Sequence, residues 1–174
     1  MKVSKTEIVF TVAIIGLLFT SSAIAIPEQE LRWETFVGNI RTGAAGAVGS
    51  GTGLVNAAGG IWVTTGGRTR VNLASGEIRF EIQGLVRGDG NDVGTPGTNT
   101  QVQGTLVCDT NGSGGQGNST LVPTPLVPLS AQGNAEFKGN VGPLPAACLT
   151  EPDVAFLVRS VNGNWFAAAI VREP

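Results

Sequence analysis

Glu77-Ile78-Arg79-Phe80-Glu81-Ile82-Gln83 decides the fold. Ile78, Phe80 and Ile82 recur at a period of two, with Glu77, Arg79, Glu81 and Gln83 between them. Successive side chains of a strand point to opposite faces, so this is a strand with one face in a core and one in water. That pattern belongs to antiparallel sheets. Just upstream, Ala74-Ser75-Gly76 has turn composition, and Arg68 to Leu73 reads as the preceding strand. Further back, Gly66-Gly67 reads as a hairpin turn that permits positive φ, after the β-branched and aromatic run Ile61-Trp62-Val63-Thr64-Thr65. The expectation is a three-stranded meander over 61–86 with a polar outer face. On that face Arg68, Arg70, Arg79, Glu77 and Glu81 form a solvated ladder of cross-strand charge pairs.

The same reading extends to both ends of the chain. Around Leu31-Arg32-Trp33-Glu34-Thr35-Phe36-Val37, the residues Leu31, Trp33 and Thr35 share one face, and Arg32 and Glu34 share the other. Residues 42–60 are a glycine-rich, uncharged stretch, read either as an irregular loop or as a strand with bends and close backbone approach. Residues 101–108 form a strand with Val102, Thr105 or Leu106, and Cys108 as core positions. The prolines of 121–129 suit an edge strand or an extended segment. Ala135-Glu136-Phe137-Lys138 is a short strand. Val154 to Val171 is a closing hairpin with Asn162-Gly163 at its tip. Strands at this spacing, with almost no helical pattern, predict an all-β fold: an antiparallel β-sandwich of about eight or nine strands after an N-terminal signal helix.

The first 25 residues carry Lys2 and Lys5, an apolar run from Ile8 to Phe19, and a small-residue exit ending in Ala23-Ile24-Ala25. This is the pattern of a secretory signal peptide. The expected organisation is a signal peptide over 1–25 and a single exported β-domain over 26–174, working in the medium, the periplasm or at the cell surface. Removing Lys2, Lys5 and Glu7 from 11 basic and 13 acidic residues leaves 9 and 12, a net charge of about −3. That balance predicts neither a nucleic-acid partner nor, after cleavage, a membrane partner. Cys108 and Cys148 are expected to pair in an oxidising compartment.

The missing residue types limit the chemistry. The chain has no histidine and no tyrosine. Serine and cysteine triads that need an imidazole are excluded, as is most zinc or haem ligation. Glu77 and Glu81 lie about 13 Å apart along one strand, too far for paired carboxylate work on a glycosidic bond. The expectation is a protein without catalytic residues and without a resident cofactor. Calcium is the one metal for which hard oxygen ligands are at hand: Asp89, Asn91 and Asp92 in one loop, Asp109, Asn111 and Ser113 in another. The second set resembles the first half of a calcium loop but has Thr120 where the bidentate glutamate would stand. Gly49-Ser50-Gly51 lacks the helix and lysine of a phosphate cradle. Arg87-Gly88-Asp89 matches a three-residue integrin motif, and turn chemistry explains it equally. Asn111-Gly112-Ser113 and Asn118-Ser119-Thr120 are glycosylation sequons. Trp33, Trp62 and Trp165 are read as core residues rather than sugar platforms.

The run Val71-Asn72-Leu73-Ala74-Ser75-Gly76-Glu77-Ile78-Arg79-Phe80-Glu81-Ile82-Gln83-Gly84-Leu85, together with the closing hairpin, resembles the chordin-type (CHRD) domain family. The resemblance implies an exported all-β domain of binding type. This chain departs from the family after Gly84-Leu85, where Arg87-Gly88-Asp89 replaces a histidine-rich segment, so a histidine-linked role does not carry over.

The functional expectation is an exported, non-catalytic binding or structural module for an extracellular protein or surface component. It would act through its surface or through loops 87–100 and 109–120. One alternative is self-association into a homo-oligomer or filament through the 42–60 stretch. The other is weak calcium or carbohydrate binding.

Overall fold

The computed structural model describes residues 30–114, 116–150 and 153–173, so the signal segment lies outside the described residues. The strands are β1 (Glu30–Gly38), β2 (Gly43–Val48), β3 (Val55–Ala57), β4 (Trp62–Val63), β5 (Gly66–Asn72), β6 (Glu77–Gln83), β7 (Val86–Arg87), β8 (Gln101–Cys108), β9 (Thr120–Pro123), β10 (Val127–Pro128), β11 (Ala135–Asn140), β12 (Val154–Ser160) and β13 (Trp165–Glu173). A four-residue helix, α1 (Ala147–Thr150), carries Cys148. The described residues form thirteen strands where about eight or nine were expected; eight have six residues or more, and the others are short pieces at edges and corners.

Eleven strands form one sheet along the path β10-β8-β12-β13-β1-β5-β6-β11, with β9 beside β8 and the β2–β3 pair joined to β13. All ladders are antiparallel except the single bridge between Ala57 and Trp165 and an isolated bridge from Arg87 to Val93. The sheet curls until its end strands β10 and β11 touch, which shields edges that would otherwise be open. The two layers of the sandwich-like fold are thus parts of one curled sheet. Phe156 of β12 lies 6.3 Å from Trp33, 6.2 Å from Phe36 and 5.8 Å from Phe80, ring centre to ring centre. Gly104 of β8 sits under this cluster, where a Cβ would stand 2.6 Å from Phe156 and 2.7 Å from Phe80.

The alternation over 77–83 appears as expected: Ile78, Phe80 and Ile82 are buried, and their neighbours face water. The three-stranded meander does not form. Trp62 and Val63 pair with Arg87 and Val86 in a separate two-stranded sheet, not with β5. Gly66 and Gly67 are not a turn but the first residues of β5, opposite Gln83 and Ile82. Their φ angles of 155° and 148°, which side-chain-bearing residues rarely adopt, explain both glycines, and space restricts Gly67 further. A Cβ on Gly67 would stand 2.3 Å from the Glu81 carbonyl oxygen and 2.7 Å from the Phe36 ring. In β1 the buried set is Leu31, Trp33 and Phe36, while Thr35 is only half-buried. The face changes where the β1–β5 ladder stops, at Trp33 opposite Thr69.

Residues 42–60 take the second of the two readings: β2 and β3 with a 3-10 turn over Gly51–Gly53. Asn162-Gly163 caps the β12–β13 hairpin, with Gly163 at φ 89° and its amide donating to Ser160. Cys108 and Cys148 form a disulfide across Cα atoms 4.8 Å apart, tying the end of β8 to α1.

Candidate functional site

Register places the charges of the outer face. Arg32 of β1 stands opposite Arg70 of β5, Arg70 opposite Arg79 of β6, and Arg79 opposite Lys138 of β11. Four cations therefore lie side by side across four adjacent strands, a row about 14 Å long at the usual strand spacing of about 4.8 Å. The expected ladder of cross-strand charge pairs does not form. Arg68 and Glu81, 3.1 Å apart, do pair across strands. Arg79 pairs with Glu77 two residues back on its own strand, at 2.7 Å, and Arg32 likewise with Glu30. The reason is the turn between β5 and β6. It sets Thr69 opposite Phe80, so the even-numbered arginine 70 must face the odd-numbered arginine 79. Arg70 and Lys138 are exposed, and among the described residues neither has an ion-pair partner. Like charges directly opposite one another destabilise a sheet.

The row is narrow. On one side lie Glu30, opposite Asn72, and Glu77, opposite Asn140. On the other lie Arg68 and Glu136, both paired in register with Glu81. A depression of about 660 Å³ covers the β5–β6–β11 part of this face, lined by Arg68, Arg70, Arg79, Glu81, Glu136 and Lys138 among others. Five of the nine basic residues of 26–174 (Arg32, Arg68, Arg70, Arg79 and Lys138) stand on this outer face of β1, β5, β6 and β11. Sequence reasoning placed three of these residues, Arg68, Arg70 and Arg79, on one charged face, but not the row that they make with Arg32 and Lys138. The usable signal was the turn at Ala74-Ser75-Gly76, which fixes which residue of β5 meets which of β6.

The two loops singled out for calcium have separate surroundings. In the first, Asp89 accepts the Ile61 amide at 2.9 Å and the Arg87 guanidinium at 2.9 Å. The Ile61 amide first, and Arg87 after it, hold its carboxyl below the usual carboxylate range against the opposing effect of desolvation. Arg87 also lies over the Trp62 ring, 5.6 Å from its centre. Both charged ends of Arg87-Gly88-Asp89 are thus engaged within the chain. Asn91 and Asp92 are exposed, and the Asp92 carbonyl closes the turn by accepting from Thr95.

In the second loop Asp109 is buried at 2% exposure, with φ 55°. Its Oδ2 accepts the Gly114 amide at 3.0 Å, while its Oδ1 is buried with no hydrogen-bond partner. Asn111 Oδ1 accepts the amide of Ser113 at 2.6 Å. Sequence reasoning missed Asp153, whose Oδ2 accepts the Asn111 amide at 2.9 Å and the Thr110 hydroxyl at 3.1 Å. Those donors, the Asn111 amide foremost, hold its carboxyl below the usual range. Among the described residues no group of three or more acidic, cysteine or histidine side chains is arranged to hold a metal ion.

Gly49 to Gly53 is a docking strip for this same loop. The Ser50 amide donates to Ser119 Oγ at 2.8 Å, and the Thr52 amide to Asn118 Oδ1 at 2.7 Å. A Cβ on Gly51 would stand 2.0 Å from Asn118 Oδ1, and one on Gly53 2.0 Å from the Ser119 carbonyl oxygen. Trp33 and Trp62 are buried core residues, and Trp165 donates its indole N–H to the Gly46 carbonyl at 2.8 Å.

Comparison with protein-family models, with curated proteins and with solved structures finds no match to this chain.

Proposed function

We propose that the chain is an exported, non-catalytic binding module, and that its working surface is the outer face of β1, β5, β6 and β11. The observation that carries this reading is the in-register row Arg32, Arg70, Arg79 and Lys138. Same-sign neighbours weaken a sheet, and an anionic partner is what would relieve them. Export is supported by the signal-like first 25 residues and fits the disulfide, since such bonds persist in oxidising compartments. The lack of histidine and tyrosine supports a binding role over catalysis. The resemblance to chordin-type domains points the same way.

The test uses the protein's own net charge. A protein with a net charge of about −3 should flow through a sulfonate matrix at neutral pH. The exported protein is expected to be retained at low salt, and Arg70→Glu to abolish retention. Flow-through of the unsubstituted protein would overturn the reading.

A second reading, addition of a neighbouring chain to β2, is favoured by one observation: among the described residues β2 pairs with β3 alone. Particle size that grows with protein concentration in light scattering would support it, and a monomer throughout would remove it.

A further inference from the structure

Resting on the reading of the cation row as the binding surface, we infer that its ligand is a linear acidic polysaccharide, with one carboxylate or sulfate per repeating unit, lying across the strands. Three features of the face lead to this class. The first is shape. The row is four strands long, with acidic side chains on both sides: Glu30 and Glu77 along one flank, Glu136 and the Arg68-paired Glu81 along the other. A broad anionic surface such as a membrane, or a duplex with two phosphate strands, would bring its charges against those carboxylates. A single extended chain would not.

The second feature is spacing. Neighbouring cations are separated by about one strand spacing, ~4.8 Å. That is close to the length of one pyranose unit in an extended chain, so an acidic sugar polymer presents charge at the interval at which the sheet presents cations. Arginine forks bind carboxylate and sulfate oxygens in pairs, which suits Arg70 at the centre of the row; the Arg79 fork beside it is held by Glu77.

The third feature is the chemistry of the flanks. The carboxylates of Glu77, Glu81 and Glu136 beside the row, each with about four lone-pair positions, offer hydrogen-bond acceptors. A sugar ring supplies hydroxyl donors to them on either side of its acid group. Polyphosphate has no such donors. Single-stranded nucleic acid needs aromatic platforms for its bases, and the ring of Phe80 on these strands is buried on the other side of the sheet, as is Trp33 of β1.

The experiment is calorimetric titration of the exported protein with four hexamers: (1→4)-linked galacturonate, a sulfated hexasaccharide, neutral maltohexaose and hexaglutamate. Binding of either acidic sugar, weakened as sodium chloride rises from about 50 to about 300 mM, is the expected result. Which of the two binds more tightly identifies the acid group. Arg70→Glu is expected to raise Kd about tenfold or more through lost charge-assisted hydrogen bonds. Arg41→Glu makes the same change of net charge on an exposed residue away from the row, and is expected to leave Kd within about twofold. Near-ultraviolet circular dichroism of both variants checks that the fold persists. Equal or tighter binding of hexaglutamate would overturn the sugar inference and leave an anion-binding face. Equal binding of maltohexaose, or an equal loss in Arg41→Glu, would overturn the assignment to the row. No binding of any acidic hexamer would remove both the inference and the reading beneath it.

Discussion

The two halves of the curled sheet follow different rules. In β5, β6 and β11 one face is dry and the other wet, and the residues alternate accordingly. In β8 and β12 both faces are dry: Leu106, Val107 and Cys108 are fully buried, as are Phe156, Leu157 and Val158. A second small core explains this. Val55 of β3 packs with Val107 and Leu157 on the outer side, with Val48, Leu121 and Trp165 around them. The β2–β3 pair thus covers one half of the sheet, and the half it leaves uncovered carries the cation row. In the sequence, a continuous apolar run marks the covered half and strict alternation the open half.

Breaking the second core gives the largest expected effect. Leu157→Ala removes a fully buried side chain and is expected to cost about 2–5 kcal/mol, measured by denaturant unfolding. If the outer face of β12 were open to water, the loss would fall below about 1 kcal/mol. Reduction of Cys108–Cys148 comes next. The bond closes a loop of 40 residues, for which chain entropy gives about 4 kcal/mol, with measured values often lower. A melting temperature unchanged by reductant would mean that β8 and α1 hold together without the bond.

Acid sharpens the comparison at the loop end of the covered half. Asp153 has its folded pKa lowered from an ordinary 3.8 by the Asn111 amide and the Thr110 hydroxyl. A lowered carboxyl contributes stability that is present above its unfolded pKa and lost as pH falls through the folded one. The melting temperature should therefore fall below about pH 4, and Asp153→Asn should flatten part of that fall. Identical pH profiles for the two proteins would show that this clasp carries no stability.

What the sequence disclosed depended on whether the cause was local. Ile78, Phe80 and Ile82 declare their face through period alone, and Asn162-Gly163 declares its turn through backbone freedom. Gly66-Gly67 has two physical explanations, a turn or a close approach. The Phe36 ring that selects the second comes from β1, some thirty residues away. Thr35 and Phe36 likewise exchange roles because the β1–β5 ladder ends, which is a tertiary event. Asp153 stayed hidden because its partners are the amide and hydroxyl of a loop about forty residues earlier. The cation row is an intermediate case. Its residues are visible and half its register is set by one turn, but Arg32 and Lys138 join it only through strand order.

The smallest expected effect bears most directly on the open half. Arg70 stands between Arg32 and Arg79 without a counter-ion among the described residues. Arg70→Glu places a carboxylate between two guanidinium groups, so it should stabilise the free protein by about 0.2–1 kcal/mol. In a domain of this size that is a rise in melting temperature of about 1–4 °C. The same substitution is expected to weaken ligand binding, so stability and binding would move in opposite directions at one residue. Such opposition is the mark of a side chain held in place for a partner rather than for the fold. If Arg70→Glu instead leaves stability unchanged or lowers it, the row is already relieved by solvent and by Glu30 and Glu77. Its like-charge geometry would then no longer be evidence for a ligand.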